Sequence, residues 1–218
     1  LHLCDRRQRQ MCIRDRFGTE DENMSPETLV KIRRDEQLAA AKILGVKDVR
    51  FLPFEDGGMY DEVALRIEIA KVIAEIKPDV VIGPDHKLYP ESHPDHLRVG
   101  EAVSKAYFMC SNVNMMKSVG ATQIAKPTVL AYYFTGKPNR FVKITKKDFE
   151  KTKVAYACFV SQCPPPDNGK SLMLYMRLKV RLNGLRSFHI RADAFRVMNN
   201  MHIHCCGEAE DTAIRRPL

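Results

Sequence analysis

The feature that most constrains the fold is a short apolar run, Val80-Val81-Ile82, which directly follows the helix-ending triplet Lys77-Pro78-Asp79. The run is continuous rather than alternating, which is typical of a parallel strand buried on both faces. Helical and strand patterns take turns along the chain, and such alternation favours parallel pairing. The sequence therefore predicts an α/β fold with a parallel sheet and flanking helices.

The other elements follow from local signals. Ser25 is a typical N-cap, Pro26 suits the first helical position and Gly45 is a plausible stop, so this segment is expected to form the first helix. Further helices are expected at 61–76, over the residues from Val99 to Cys110, at 148–160 and at 172–182, with strands at 49–52, 80–82 and 128–134.

The main candidate for chemistry is the loop Ser92-His93-Pro94-Asp95-His96, which comes soon after the buried strand. In open α/β sheets, ligands bind outside the carboxyl ends of strands. Neutral imidazole is a common metal ligand, and an imidazole N–H can donate to an oxyanion. One short loop, with His93 and His96, thus offers a metal ligand and an electrophilic helper together. The nearby His86 is expected to be a surface residue.

Composition excludes several classes of function. The chain has 218 residues, of which 44% are hydrophobic and 28% charged, as in ordinary globular proteins. It has no apolar run long enough to span a membrane. The net charge of +8 is spread along the chain without a compact basic stripe, so nucleic-acid binding is not expected. Seven cysteines without a secretory signal favour free thiols and a cytoplasmic location.

The two ends differ from the middle. Residues 1–17 show no periodicity and are expected to be a non-native or disordered leader, either a read-through from a foreign upstream sequence or a basic arm. Residues 18–200 form the predicted domain, and residues 201–218 an irregular tail. Within the tail, His202-Ile203-His204-Cys205-Cys206 holds metal-binding residue types, but zinc ligands usually come in separated pairs, so an irregular terminus is favoured.

Four segments, in order, resemble those of the LmbE-like (PIG-L) family of zinc-dependent N-acetyl-sugar deacetylases. Together they span about residues 18–198, and the His-Pro-Asp-His block is the most specific of them. The segments are Arg33-Arg34-Asp35-Glu36 with the helix end 39–46, Phe54-Glu55-Asp56-Gly57-Gly58, Lys77-Pro78-Asp79-Val80-Val81 leading into His93-Pro94-Asp95-His96, and Arg191-Ala192-Asp193-Ala194-Phe195-Arg196.

The resemblance implies a Rossmann-like sheet with flanking helices and hydrolysis of the N-acetyl group of a small N-acetylglucosamine-type sugar conjugate, with Zn²⁺ activating the attacking water. By the same resemblance, His96 is a metal ligand, and His93, when protonated, stabilises the oxyanion. Asp95, next to the histidines, is expected to raise the pKa of an imidazole and to fix its tautomer. Arg33 and Asp56 match positions that hold sugar hydroxyls. From the residues alone, Arg33 could equally be a solvated helix residue paired with Glu36, and Asp56 an ordinary turn residue.

One family motif has no counterpart. Members of the family begin with a strand that runs into Ala-His-Pro-Asp-Asp-Glu, which supplies two metal ligands and the general base. Catalytic zinc normally takes three protein ligands, so His96 alone leaves the expected site two short. We therefore expect an N-terminally truncated or mis-assembled deacetylase that lacks its first strand and is inactive as written. The alternative is a non-catalytic carbohydrate-binding remnant of the same fold.

Overall fold

The computed structural model describes residues 9–14, 24–163 and 166–203. These residues form six strands, seven α-helices and one 3-10 turn at Val160–Gln162. In chain order the elements are β1 (Arg9–Arg14), α1 (Pro26–Leu44), β2 (Asp48–Glu55), α2 (Glu62–Ile76), β3 (Val80–Pro84), α3 (Pro94–Met109), α4 (Val113–Ser118), β4 (Val129–Tyr133), β5 (Arg140–Lys143), α5 (Lys146–Tyr156), α6 (Lys170–Arg186), β6 (Ala192–Met198) and α7 (Asn200–Ile203).

The strands form two sheets. β1 pairs in parallel with β2, and a second sheet has the order β3-β4-β6-β5. Within it, β3 and β4 are parallel, whereas β6 runs antiparallel to β4. The α/β prediction is confirmed, but the larger sheet is mixed rather than wholly parallel. The difference comes from β6, a strand that the local patterns did not predict.

The chain divides into two compact units, of which the first comprises residues 1–57 and 142–193. Its helix α1 begins as predicted, because the Ser25 hydroxyl accepts a hydrogen bond from the Thr28 N–H at 3.2 Å. The helix ends at Gly45, whose φ of 83° is left-handed. α1 packs against α5, and the Lys151 ammonium donates to the last carbonyl of α1, that of Leu44, at 3.0 Å.

The second unit comprises residues 58–141 and 194–218. Its core forms where α2 packs on α3 and α3 packs on β3. The packing is close: a Cβ on Gly83 of β3 would come within 3.0 Å of the Val103 side chain on α3. The apolar residues that α2 and α3 bury are Leu65, Ile69, Ala70, Val72, Ile73, Ala74, Ala102, Val103, Ala106, Tyr107 and Met109. This core fixes α3 against the carboxyl end of β3, and with α3 it fixes residues 92–96, called the histidine loop below.

Several elements lie where the sequence analysis expected none. Residues 9–14, assigned to the leader, form β1, because backbone pairing with β2 needs no apolar pattern. The short strand β5 and the strand β6 were also missed. The rest of the leader, 1–8 and 15–17, lies outside the described residues, as does the tail from 204 onward. The division into leader, domain and tail stays a prediction.

Two further expectations concern the cysteines and membrane-spanning helices. Within the described part of the chain, Cys110, Cys158 and Cys163 are free thiols. Among the same residues, none of the helices combines the length and the apolar character that a membrane crossing requires.

Candidate active site

The histidine loop joins the end of β3 to the start of α3. His93 is the N-cap of α3 and Pro94 its first residue, a position where the missing N–H costs nothing. The His93 Nδ1 accepts a hydrogen bond from the Asp95 backbone N–H at 3.3 Å. Because Nδ1 is the acceptor, the proton of the neutral ring lies on Nε2. His93 therefore presents an Nε2–H donor.

His96 has the opposite tautomer. Its ring stacks on that of His93 with centroids 4.6 Å apart and planes inclined by 23°. The His96 Nδ1 lies 2.8 Å from Glu91 Oε2. Since an ionised carboxylate only accepts, Nδ1 carries the proton and the lone pair is on Nε2. A histidine that donates one nitrogen to a carboxylate is typical of metal-ligating imidazoles.

Glu91 holds both histidines, and the sequence analysis missed it. Its Oε1 accepts from the His93 backbone N–H at 2.8 Å, while Oε2 meets His96. The hydrogen bonds from His96 and from the His93 backbone keep the pKa of Glu91 below its usual range. The only signal in the sequence was a carboxylate two residues before His93.

Asp95 is anchored by the loop that precedes α2. The carboxylate is 6% exposed, and its Oδ1 accepts from the Gly58 N–H at 2.9 Å. Burial and the neighbouring Asp95 carboxylate raise the pKa of Tyr60. Asp95 Oδ2 is 3.9 Å from His93 Nδ1, so the group within hydrogen-bond distance of that nitrogen is the Asp95 backbone N–H. The carboxylate fixes the loop, and the backbone sets the tautomer of His93.

Any residue other than glycine at position 58 would force the neighbouring loop or helix to move. Its φ is 71°, and a Cβ at this position would lie 2.8 Å from the Pro94 Cβ. Arg98 of α3 donates to the Gly58 carbonyl and lies 3.3 Å from Glu62 Oε1. Both backbone groups of Gly58 are thus tied to α3.

A buried ion pair supports the same end of the sheet. Asp85, immediately after β3, accepts from Arg196 of β6 at 2.5 and 2.9 Å. Burial alone would raise the pKa of Asp85, but the hydrogen bonds and charge of Arg196, with a further hydrogen bond from Thr135, hold it below its usual value. The Arg196 guanidinium also covers the Tyr132 ring at 4.4 Å. The pair joins β3, β4 and β6 below the histidine loop.

His86 is half-buried rather than on the surface. Its ring meets the Tyr132 ring edge-on at 5.5 Å, and its Nδ1 is buried without a hydrogen-bond partner among the described residues. Burial, reinforced by the charge of Arg196, lowers its pKa. The ring is therefore neutral near pH 7 and serves to pack the loop.

Arg33 and Asp56 belong to the first unit, and His93, Asp95 and His96 to the second. Arg33 is 6% exposed, so it is not a solvated helix residue. Asp56 is half-buried in the turn after β2. Their expected contacts with sugar hydroxyls stay predictions. Glu36, the suggested partner of Arg33, accepts from the Ser161 backbone and hydroxyl at 2.7 and 2.6 Å.

The expected zinc site does not fit the described residues. Among them, no three His, Cys, Asp or Glu side chains are grouped so that they could hold a metal ion. Among these residues His202 is not part of such a group either, and its Nδ1 accepts a hydrogen bond from the Asn199 N–H at 3.2 Å. His96 remains a single candidate ligand.

Comparisons with known proteins agree on one family. The PIG-L family model, described as GlcNAc-PI de-N-acetylase, matches residues 6–107. The diacetylchitobiose deacetylase of Thermococcus kodakarensis is 31% identical over 194 residues, which cover 87% of this chain and 71% of the relative. A probable N-acetyl-alpha-D-glucosaminyl L-malate deacetylase of Bacillus anthracis is 39% identical over 84 residues, only 37% of this chain and 35% of that protein.

A solved structure shows the same fold. The N,N'-diacetylchitobiose deacetylase of Pyrococcus horikoshii superposes with a TM-score of 0.82 at 28% identity, covering 92% of this chain and 76% of that one.

Proposed function

Because this chain belongs to the PIG-L (LmbE-like) family of de-N-acetylases, we propose that its site serves to remove the N-acetyl group from an N-acetylglucosamine-type sugar conjugate. The observation that carries the proposal is the stacked pair His93 and His96 at the end of β3, held in opposite tautomers by the Asp95 backbone and by Glu91. The substrate would be a small molecule.

Each residue of the site has its own role in the proposed reaction. A water oxygen attacks the acetyl carbonyl carbon and gives up a proton, and the carbonyl oxygen becomes an oxyanion. The C–N bond then breaks as the departing nitrogen takes up a proton, which leaves acetate and an amine. The His93 Nε2–H is a donor for that oxyanion, a contact that strengthens as its charge develops. The His96 Nε2 lone pair is a metal-ligand position. Asp95 acts as a positioning residue.

Zn²⁺ is the metal we propose for the family reaction, with His96 as a ligand, but among the described residues no three metal-ligating side chains are grouped to hold it. Three protein ligands are usual for catalytic zinc. We infer that residues 1–218 by themselves hold zinc weakly and release no acetate. Elemental analysis of the purified chain tests this, and one tightly held zinc per chain would contradict it. A cytoplasmic location stays a prediction.

The second candidate is a carbohydrate-binding remnant without turnover. The observation that favours it is the intact Glu91–His96 and Gly58–Asp95 network beside an incomplete set of metal donors among the described residues. NMR titration with N,N'-diacetylchitobiose, combined with an acetate assay in added Zn²⁺, tests whether residues 1–218 turn the sugar over. Binding without acetate agrees with the inactivity inferred above and leaves these residues as a sugar-binding remnant. Acetate release that His96→Ala abolishes shows an active deacetylase, and a failure to bind overturns both.

A further inference from the structure

An aromatic residue with an unusual backbone stands beside the histidine pair. Phe134 directly follows β4, and its φ of 52° lies in the left-handed region, which bulky side chains rarely adopt. Such strain persists only where the surroundings fix it, and it is frequent at binding and catalytic sites. The side chain is 42% exposed. The backbone thus holds a large apolar ring partly in solvent.

The position of the ring is fixed on two sides. The Tyr133 ring meets it edge-on, with centroids 4.9 Å apart and an angle of 71°. The His96 ring lies 6.2 Å away. Because β3 and β4 are parallel, with Pro84 opposite Tyr133, their carboxyl ends lie side by side, and Phe134 and the histidine loop meet there.

A shallow depression of the surface lies next to this group. Residues 86–91 line an open depression of about 480 Å³. Glu91, at its end, contacts His96. On the other side, the Leu88 side chain lies 3.6 Å from where a Cβ on Gly136 would be, so the depression borders the turn that follows Phe134. Tyr89, 93% exposed, adds a second aromatic ring to its lining.

We propose that Phe134 is a stacking platform for a second sugar ring, the one joined to the N-acetylated residue undergoing reaction. The inference rests on the proposed function and assigns the residue that would favour a two-ring over a one-ring substrate. The face of an aromatic ring is electron-rich. Both faces of a β-glucopyranose ring present axial C–H groups, polarised by the neighbouring oxygens, which fit that face. An acyclic aglycone offers no such surface.

The test compares binding of a one-ring and a two-ring probe, methyl β-N-acetylglucosaminide and N,N'-diacetylchitobiose, by NMR titration of the full chain. We expect the wild-type chain to bind the disaccharide about 2- to 12-fold more tightly, the range for one aromatic contact. Phe134→Ala should remove this gain and leave the monosaccharide affinity unchanged, whereas Phe134→Trp should keep it. Unchanged monosaccharide binding also shows that the variant is folded.

Phe108→Ala is the matched control, because Phe108 is 40% exposed and lies near the far end of α3. It should behave as wild type. A disaccharide advantage that survives Phe134→Ala, or is absent from the wild type while the monosaccharide binds, overturns the stacking platform alone. Binding of neither sugar to the wild type overturns the proposed function and the platform with it.

Discussion

Replacing Gly58 with alanine tests how the site is anchored. The new Cβ would lie 2.8 Å from the Pro94 Cβ, so the loop or α3 must move, and the movement breaks the 2.9 Å hydrogen bond from the Gly58 N–H to Asp95. A left-handed conformation costs alanine about 1–2 kcal/mol. A buried acceptor that loses its donor costs about 1–3 kcal/mol more.

Gly120→Ala separates the two costs. Gly120 has nearly the same φ, 73°, but a Cβ there would meet nothing within 4 Å. It should therefore show only the backbone strain. We expect Gly58→Ala to be the less stable variant by about 2 kcal/mol, which is about 4–8 °C in Tm for a chain of this size. Urea denaturation followed by circular dichroism measures both. Equal destabilisation of the two variants would refute the anchoring role of Gly58.

Three other predictions concern titratable groups. Asp85→Asn leaves Arg196 buried without its counter-charge and should lower the free energy of unfolding by about 3 kcal/mol at pH 7. Because the pKa of Asp85 is lowered, the stability advantage of the wild type is complete above about pH 4 and should shrink as the pH falls further. Urea titrations measure this difference, and a difference that stays constant with pH would contradict the prediction. Burial raises the pKa of Cys110 to about 12. Mass spectrometry should therefore find Cys110 unlabelled by iodoacetamide at pH 8 in the native chain and labelled after unfolding. Labelling of the native chain at the rate of a free thiol would count against its burial. In Glu91→Gln the new amide can donate as well as accept, so nitrogen NMR should show His96 losing its preference for the Nδ1–H tautomer, and an unchanged ring spectrum would show that Glu91 does not set it.

Local signals predicted most helices well. The ends of α1 were predicted from Ser25, Pro26 and Gly45, and the helix begins and ends at these residues in the structure. Helix caps can be predicted because they depend on residues within one turn. The strand β3 followed from three consecutive apolar residues, but the expectation that it is buried on both faces is wrong, because Val80 and Ile82 are exposed and β3 lies at the edge of its sheet. The strand β1 did not, because its sequence, rich in Arg and Gln, carries no pattern, and its pairing with β2 is a property of the backbone.

The supporting residues of the site were harder to predict. His93 and His96 stand out by spacing, but the Gly58–Asp95 bond spans 37 residues and the Asp85–Arg196 pair 111. Such contacts arise only when β3, β4 and β6 assemble. For the same reason the sequence marked Asp95 as a partner of an imidazole, whereas packing turned its carboxylate toward Gly58.

The central claim is that the histidine loop is one half of a deacetylase centre, and restoring the other half tests it most directly. The motif Ala-His-Pro-Asp-Asp-Glu can be written into residues 15–20 by Asp15→Ala, Arg16→His, Phe17→Pro, Gly18→Asp and Thr19→Asp, with Glu20 retained. The measurement is acetate released from N,N'-diacetylchitobiose in the presence of Zn²⁺. We predict release by this variant, none by the unmodified chain, and loss of release when His96→Ala is added. A folded variant that binds the sugar and zinc yet releases no acetate, or one whose activity survives His96→Ala, would contradict the account.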